Sequence, residues 1–111
     1  MKKVAIPVTN GILDAHFGHC RQFCVFETEN RQVIKETNLT PPPHAPGLLP
    51  KWLQEQNVTD IIAGGIGQRA IHLFNEFGIN VYSGAAIKSA KALIDDFVNG
   101  NLATSVNLCD H

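Results

Sequence analysis

Cysteine, net charge and long apolar runs are all scarce in this chain, and each shortage removes a class of protein. The 111 residues include three cysteines, an odd number at low density, whereas small disulfide scaffolds are rich in paired cysteines. The thiols are expected to be free or metal-bound in a reducing compartment, so the expected localisation is cytoplasmic. Nine basic and ten acidic side chains leave a net charge of −1. That provides no electrostatic footprint for nucleic acid or for an anionic membrane surface. No stretch approaches the roughly 18 apolar residues of a membrane span. Met1–Val8 has two lysines but only a short apolar run before Pro7, against the about 7–15 apolar residues of a secretory signal.

Carboxylates are also missing where a nuclease would need them. The first strand-like segment, Lys3–Val8, contains none, and a two-metal nuclease requires several on its strands. The glycine-rich stretch Gly64-Gly65-Ile66-Gly67 lacks the Gly-Lys-Ser/Thr of a phosphate loop and the G-x-G-x-x-G dinucleotide fingerprint. There is no internal repeat and no low-complexity tract.

What remains is an ordinary globular composition, 44% hydrophobic and 17% charged. A chain of this length forms one domain that buries roughly two-thirds of its unfolded surface. The domain is expected over residues 1–102, with 103–111 as a C-terminal tail. Lys3–Val8, Gln22–Thr28 and Gln32–Thr37 read as strands, the last two joined by a hairpin turn at Glu29-Asn30-Arg31. Thr40–Gly47 carries four prolines and reads as a loop. The apolar period then changes from two to 3.6. Leu48, Leu49, Trp52 and Leu53 share one helical face, Ala70, Ile71, Phe74 and Phe77 a second, and Ile87, Ala90, Leu93, Ile94, Phe97 and Val98 a third. Strands Ile61–Ala63 and Ile79–Tyr82 lie between these helices. The order β-β-β-α-β-α-β-α implies an α/β fold with a mixed five-stranded sheet, ribonuclease H-like, and helices on its faces.

Strand direction then places the chemistry. The loops Thr9–Arg21, Thr40–Gly47, Gly64–Gly67 and Ser83–Ala86 all fall at the end where the first strand finishes. Ligands bind at that carboxyl edge in open α/β sheets. His16, His19, Cys20 and His44 should gather there, and imidazole and thiolate suit zinc, copper and iron–sulfur centres. Surface histidines beside a half-buried cysteine would read the same by spacing alone. Cys109 and His111 form a second cluster that would serve as a lid or remain a loose end. Gly64, Gly65 and Gly67 opening a helix would present bare N–H groups to an anion, or simply permit close packing. Arg21, Arg69 and Lys88, the last two expected in first helical turns, would offset anionic charge or be solvated surface cations. Cys24 reads as core and His72 as surface. A Cys20–His pair as a hydrolase nucleophile is conceivable, but no recognisable oxyanion hole or orienting third group accompanies it.

His16-Phe17-Gly18, Pro46-Gly47-Leu48-Leu49-Pro50, Gly64-Gly65-Ile66-Gly67 with Arg69-Ala70, and Gly78-Ile79 to Gly84 occur in an order and spacing that resembles one family. It is the dinitrogenase iron–molybdenum cofactor biosynthesis family, and the resemblance runs to about Leu102. The resemblance implies a ribonuclease H-like fold without nuclease activity, and the chain is expected not to be an enzyme. The resemblance further implies binding of a preassembled anionic metal–sulfur cluster, iron–molybdenum cofactor-like or molybdenum–copper, passed between metallocluster donor and acceptor proteins. His16 matches the family's His-Phe-Gly histidine, and Gly64, Gly65 and Gly67 match its glycine turn. His19-Cys20 and the Cys109/His111 tail depart from the commonest pattern and would equally suit zinc, copper or a plain iron–sulfur centre. The expected function is metallocluster carriage. The alternatives are a non-catalytic regulatory module of the same fold and, less favoured, a small zinc- or cysteine-dependent hydrolase.

Overall fold

A computed structural model describes residues 1–17, 20–42 and 48–104. The expectations for His19, His44, Cys109 and His111 lie outside the described residues. The elements run β1 (Lys2–Thr9), β2 (Ile12–Leu13), β3 (Gln22–Glu29), β4 (Gln32–Leu39), α1 (Leu48–Glu55), β5 (Asp60–Ile62), α2 (Gln68–Glu76), β6 (Asn80–Tyr82) and α3 (Ala90–Val98). The chain is thus a mixed α/β fold, with one six-stranded mixed sheet in the order β4-β3-β1-β5-β6 and β2 paired to β1.

β1 sits at the centre because it is buried on both faces. Val4, Ala5 and Ile6 are fully buried, which explains the near-continuous apolar run. Its side chains alternate between two cores. Val4, Ile6 and Val8 join Cys24, Phe26, Leu93 and Ile94 under α3. Ala5 joins Phe23, Val25, Leu49, Leu53 and Phe74 under α1 and α2. β1 pairs antiparallel with β3 and parallel with β5, and β5 pairs parallel with β6. The ends of β1, β5 and β6 therefore share one edge, as strand direction predicts.

Three details differ from the sequence reading. The sheet has six strands because Asn10-Gly11 makes a two-residue hairpin. Both residues have positive φ, 56° and 79°, the pattern of a type I′ turn, and it folds Ile12–Leu13 back onto Val8–Thr9. α3 begins at Ala90, because the Ser89 side chain accepts a hydrogen bond from the Ala92 N–H at 3.1 Å and so fixes the N-terminus. Ile87 consequently lies outside the helix and is exposed. Lys88 is outside the first turn and pairs with Asp96. The strands expected to include Ala63 and Ile79 exclude both.

Cys24 is core, as its place in an apolar strand suggests. It is 5% exposed and lies beside Glu36, with Sγ 3.7 Å from Oε2. Burial, reinforced by the Glu36 carboxylate, pushes its thiol up to about 11. Alkylation requires the thiolate, so iodoacetamide at pH 8 should leave Cys24 unmodified in the folded protein while labelling it in urea. Peptide mapping by mass spectrometry checks this; rapid native-state labelling of Cys24 would contradict the packing described.

Candidate functional site

The site is assembled from three segments at the carboxyl edge, each held by backbone hydrogen bonds to the others. After β2 the chain is anchored by Asp14, whose N–H donates to the Pro7 carbonyl at 2.9 Å. It then crosses to the end of β5. There the Gly65 N–H donates to the Ala15 carbonyl at 2.7 Å, and the Phe17 N–H donates to the Gly65 carbonyl at 2.7 Å. His16 and Gly65 thereby form an isolated parallel bridge. The third segment joins through the Gly84 N–H to the Gly64 carbonyl and through the Ala90 N–H to the Gly11 carbonyl.

Apolar packing holds the loop down. The Phe17 ring meets Phe23 edge-on at 5.9 Å and Phe74 at 5.5 Å, an arrangement favoured for aromatic pairs. With Phe17 as the anchor, the preceding His16 is left exposed. Cys20 is half-buried against the same core as Phe17 and Ile66. Arg21 returns the chain to the sheet through its N–H to the Val8 carbonyl, 3.2 Å, and its side chain is exposed. Arg69 is exposed in the first turn of α2.

Two side-chain bonds set the loop and were not legible as site features. The Asp14 carboxylate accepts from the His16 N–H at 3.1 Å through Oδ1 and from the Thr9 hydroxyl at 2.8 Å through Oδ2. Asp-x-His is the spacing of an Asx-turn, and that is the signal the sequence carried.

The glycine turn is built differently from the expectation of bare N–H groups. The Gly65 N–H is occupied by Ala15, and a Cβ there would stand 2.8 Å from the Ala15 carbonyl oxygen. Gly64 is also tight, with a Cβ meeting Ala15 and Asp14 carbonyl oxygens at 3.3 Å. Gly67, at the N-cap of α2, has open space around the corresponding position. Gly64 and Gly65 thus serve close packing, while Gly67 stands at the open helix terminus.

No group of three or more His, Cys, Asp or Glu side chains able to hold a metal ion occurs among the described residues. His72 is surface, 3.4 Å from Glu76 one turn on. A groove of about 510 Å³ lies at the opposite end of β1, lined by Lys2, Arg31, Tyr82 and Phe97 among others. None of the expected site residues among those described lines it.

A mixed α/β domain with a histidine-bearing loop clipped to a glycine turn is the class defined by this geometry. The chain belongs to the dinitrogenase iron-molybdenum cofactor family, whose model matches residues 1–100. It is 33% identical over 107 residues to an uncharacterized protein of Methanocaldococcus jannaschii, MJ0580, covering 92% of this chain and 90% of that one. Its fold is similar to the crystal structure of PH0822, with a TM-score of 0.88 and 28% identity over 98% of this chain and 99% of that one. It is also similar to the apo form of the orange protein from Desulfovibrio gigas, with a TM-score of 0.77, 17% identity and coverage of 95% and 93%. The last likeness shows the fold alone.

The two glycines give a direct test of the clip. Gly65→Ala should cost about 1–3 kcal/mol, the usual range for an overpacked site, measured as a shift in urea midpoint. Gly67→Ala, with free space around it, should leave the midpoint nearly unchanged. Equal effects at both positions would contradict the close approach of Ala15 to Gly65.

Proposed function

We propose that this chain carries a preassembled metal–sulfur cluster, iron–molybdenum cofactor-like or a related molybdenum–copper cluster, as a non-catalytic accessory of metallocofactor assembly. The observation that carries the reading is His16, an exposed imidazole held by backbone bonds over the glycine turn in a family described by the iron–molybdenum cofactor. A bare zinc ion needs three or four protein ligands, and the described residues supply no such group. A cluster brings its own sulfide ligands, so one or two protein attachments suffice. Cys20 is the candidate second attachment, and His19, His44, Cys109 and His111 remain candidates outside the described residues.

The surroundings favour an anionic cargo. Arg21 and Arg69 are exposed at this edge, and no acidic residue stands in the first turn of α2, where the macrodipole favours negative charge. The strand order, with β3 antiparallel to both neighbours and β4, β1, β5 and β6 aligned, supports the ribonuclease H-like assignment. Central strand β1 carries no carboxylate, which supports carriage over nuclease chemistry. Cluster donor and acceptor proteins in the cytoplasm are the partners this role requires. No helix of the described residues is long and apolar enough to cross a membrane.

The test is anaerobic incubation with extracted iron–molybdenum cofactor, followed by gel filtration and metal and sulfide analysis. Wild-type protein should retain metal and inorganic sulfide near one cluster per chain, and His16→Ala should retain at least tenfold less. A wild-type protein that elutes metal-free overturns the carrier reading and favours the regulatory module.

A further inference from the structure

Two features described above converge on one side chain. The Asp14 carboxylate is tied at both oxygens, Oδ1 to the His16 N–H and Oδ2 to the Thr9 hydroxyl, and its own N–H is tied to Pro7 on the central strand. The residue is half-buried. The backbone entering His16 is therefore fixed from the β1 side. From the β5 side it is fixed by the bonds that Gly65 makes to Ala15 and Phe17.

The imidazole lies against this clip. A Cβ built on Gly65 would have His16 Nδ1 as its nearest side-chain neighbour, at 3.6 Å. The bare Cα of Gly65 thus forms the floor under the Nδ1 edge of the ring.

We infer that Asp14 is a positioning residue that, with the glycine floor at Gly65, sets the placement of the His16 ring toward the cargo. The inference rests on the carrier reading for the identity of what the His16 ring meets. Asp14 acts through His16 and does not bind the cargo itself. A carboxylate facing an anionic cluster would repel it, and both of its oxygens are engaged with protein donors. Holding a ligand in its bound orientation before binding removes the entropy cost of fixing it afterwards, so loss of the clamp should appear as weaker binding with the fold retained.

Charge and acceptor capacity separate the variants. Asp14→Asn keeps an oxygen for the His16 N–H and removes a negative charge. Asp14→Ala removes the acceptor altogether. With extracted iron–molybdenum cofactor as the probe, Asp14→Ala should weaken binding about tenfold, equivalent to about 1.4 kcal/mol. Asp14→Asn should bind within threefold of wild type, or tighter. In a His16→Ala background, Asp14→Ala should cause no further loss, because a residue acting only through His16 has nothing left to position.

A second readout needs no cargo. In the unloaded protein, NMR should show a nuclear Overhauser contact between the His16 ring and the Gly65 Hα protons, kept in Asp14→Asn and lost in Asp14→Ala. Additive losses in the double variant, or a ring contact indifferent to Asp14→Ala, overturn the positioning role. If the contact behaves as expected but wild-type protein binds no cofactor, the carrier reading fails and the ring placement stands.

Discussion

The pair of hydrogen bonds between Gly65 and the Ala15–Phe17 segment is the constraint on which the rest of the site depends. It joins the loop after β2 to the end of β5, two places about fifty residues apart in sequence. It works only because Gly65 has no side chain, since a Cβ would sit 2.8 Å from the Ala15 carbonyl oxygen. Once the strands are clipped, Phe17 enters the core between Phe23 and Phe74 and His16 is left on the surface. One residue is an anchor and its neighbour a ligand candidate because the extended backbone turns them to opposite sides.

Under the proposed carrier reading, that arrangement leaves the edge open to a cargo with ligands of its own. A structural ion site is closed by several protein ligands that converge, and no such convergence occurs among the described residues. An open edge with one well-held imidazole, a half-buried thiol at Cys20 and two exposed arginines can receive an object that brings most of its own coordination. It can also release it, which a carrier must do. Cys24 takes no part: its thiol is buried on the α3 side of the sheet and held protonated by its surroundings.

The sequence carried the architecture wherever an apolar period ran long enough to read. β1 and β3 follow from short apolar runs, β4 from the hairpin turn that precedes it, and the buried faces of α1 and α2 from the 3.6 spacing. β2 was too short for a period to appear, and only the Asn10-Gly11 turn announced it. The start of α3 was misplaced because Ile87 fits the apolar face by spacing, while the Ser89 cap decides where the helix begins. At the site, strand direction put the loop that carries His16 and the glycine turn at one edge, where Ala15, Phe17 and Gly65 are hydrogen-bonded. It could not reveal that the Gly65 N–H is consumed by Ala15, because that partner is tertiary. It also passed over Asp14, whose role depends on a hydroxyl from Thr9 across the hairpin.

The central claim is that a cluster sits at this edge and is attached through His16. X-ray absorption at the metal edges of cofactor-loaded protein tests it most directly, by comparing wild type with His16→Ala loaded under the same conditions. The account predicts a light-atom scatterer at bonding distance from a cluster metal in wild type that is absent from the variant. An identical coordination shell in both proteins would contradict it.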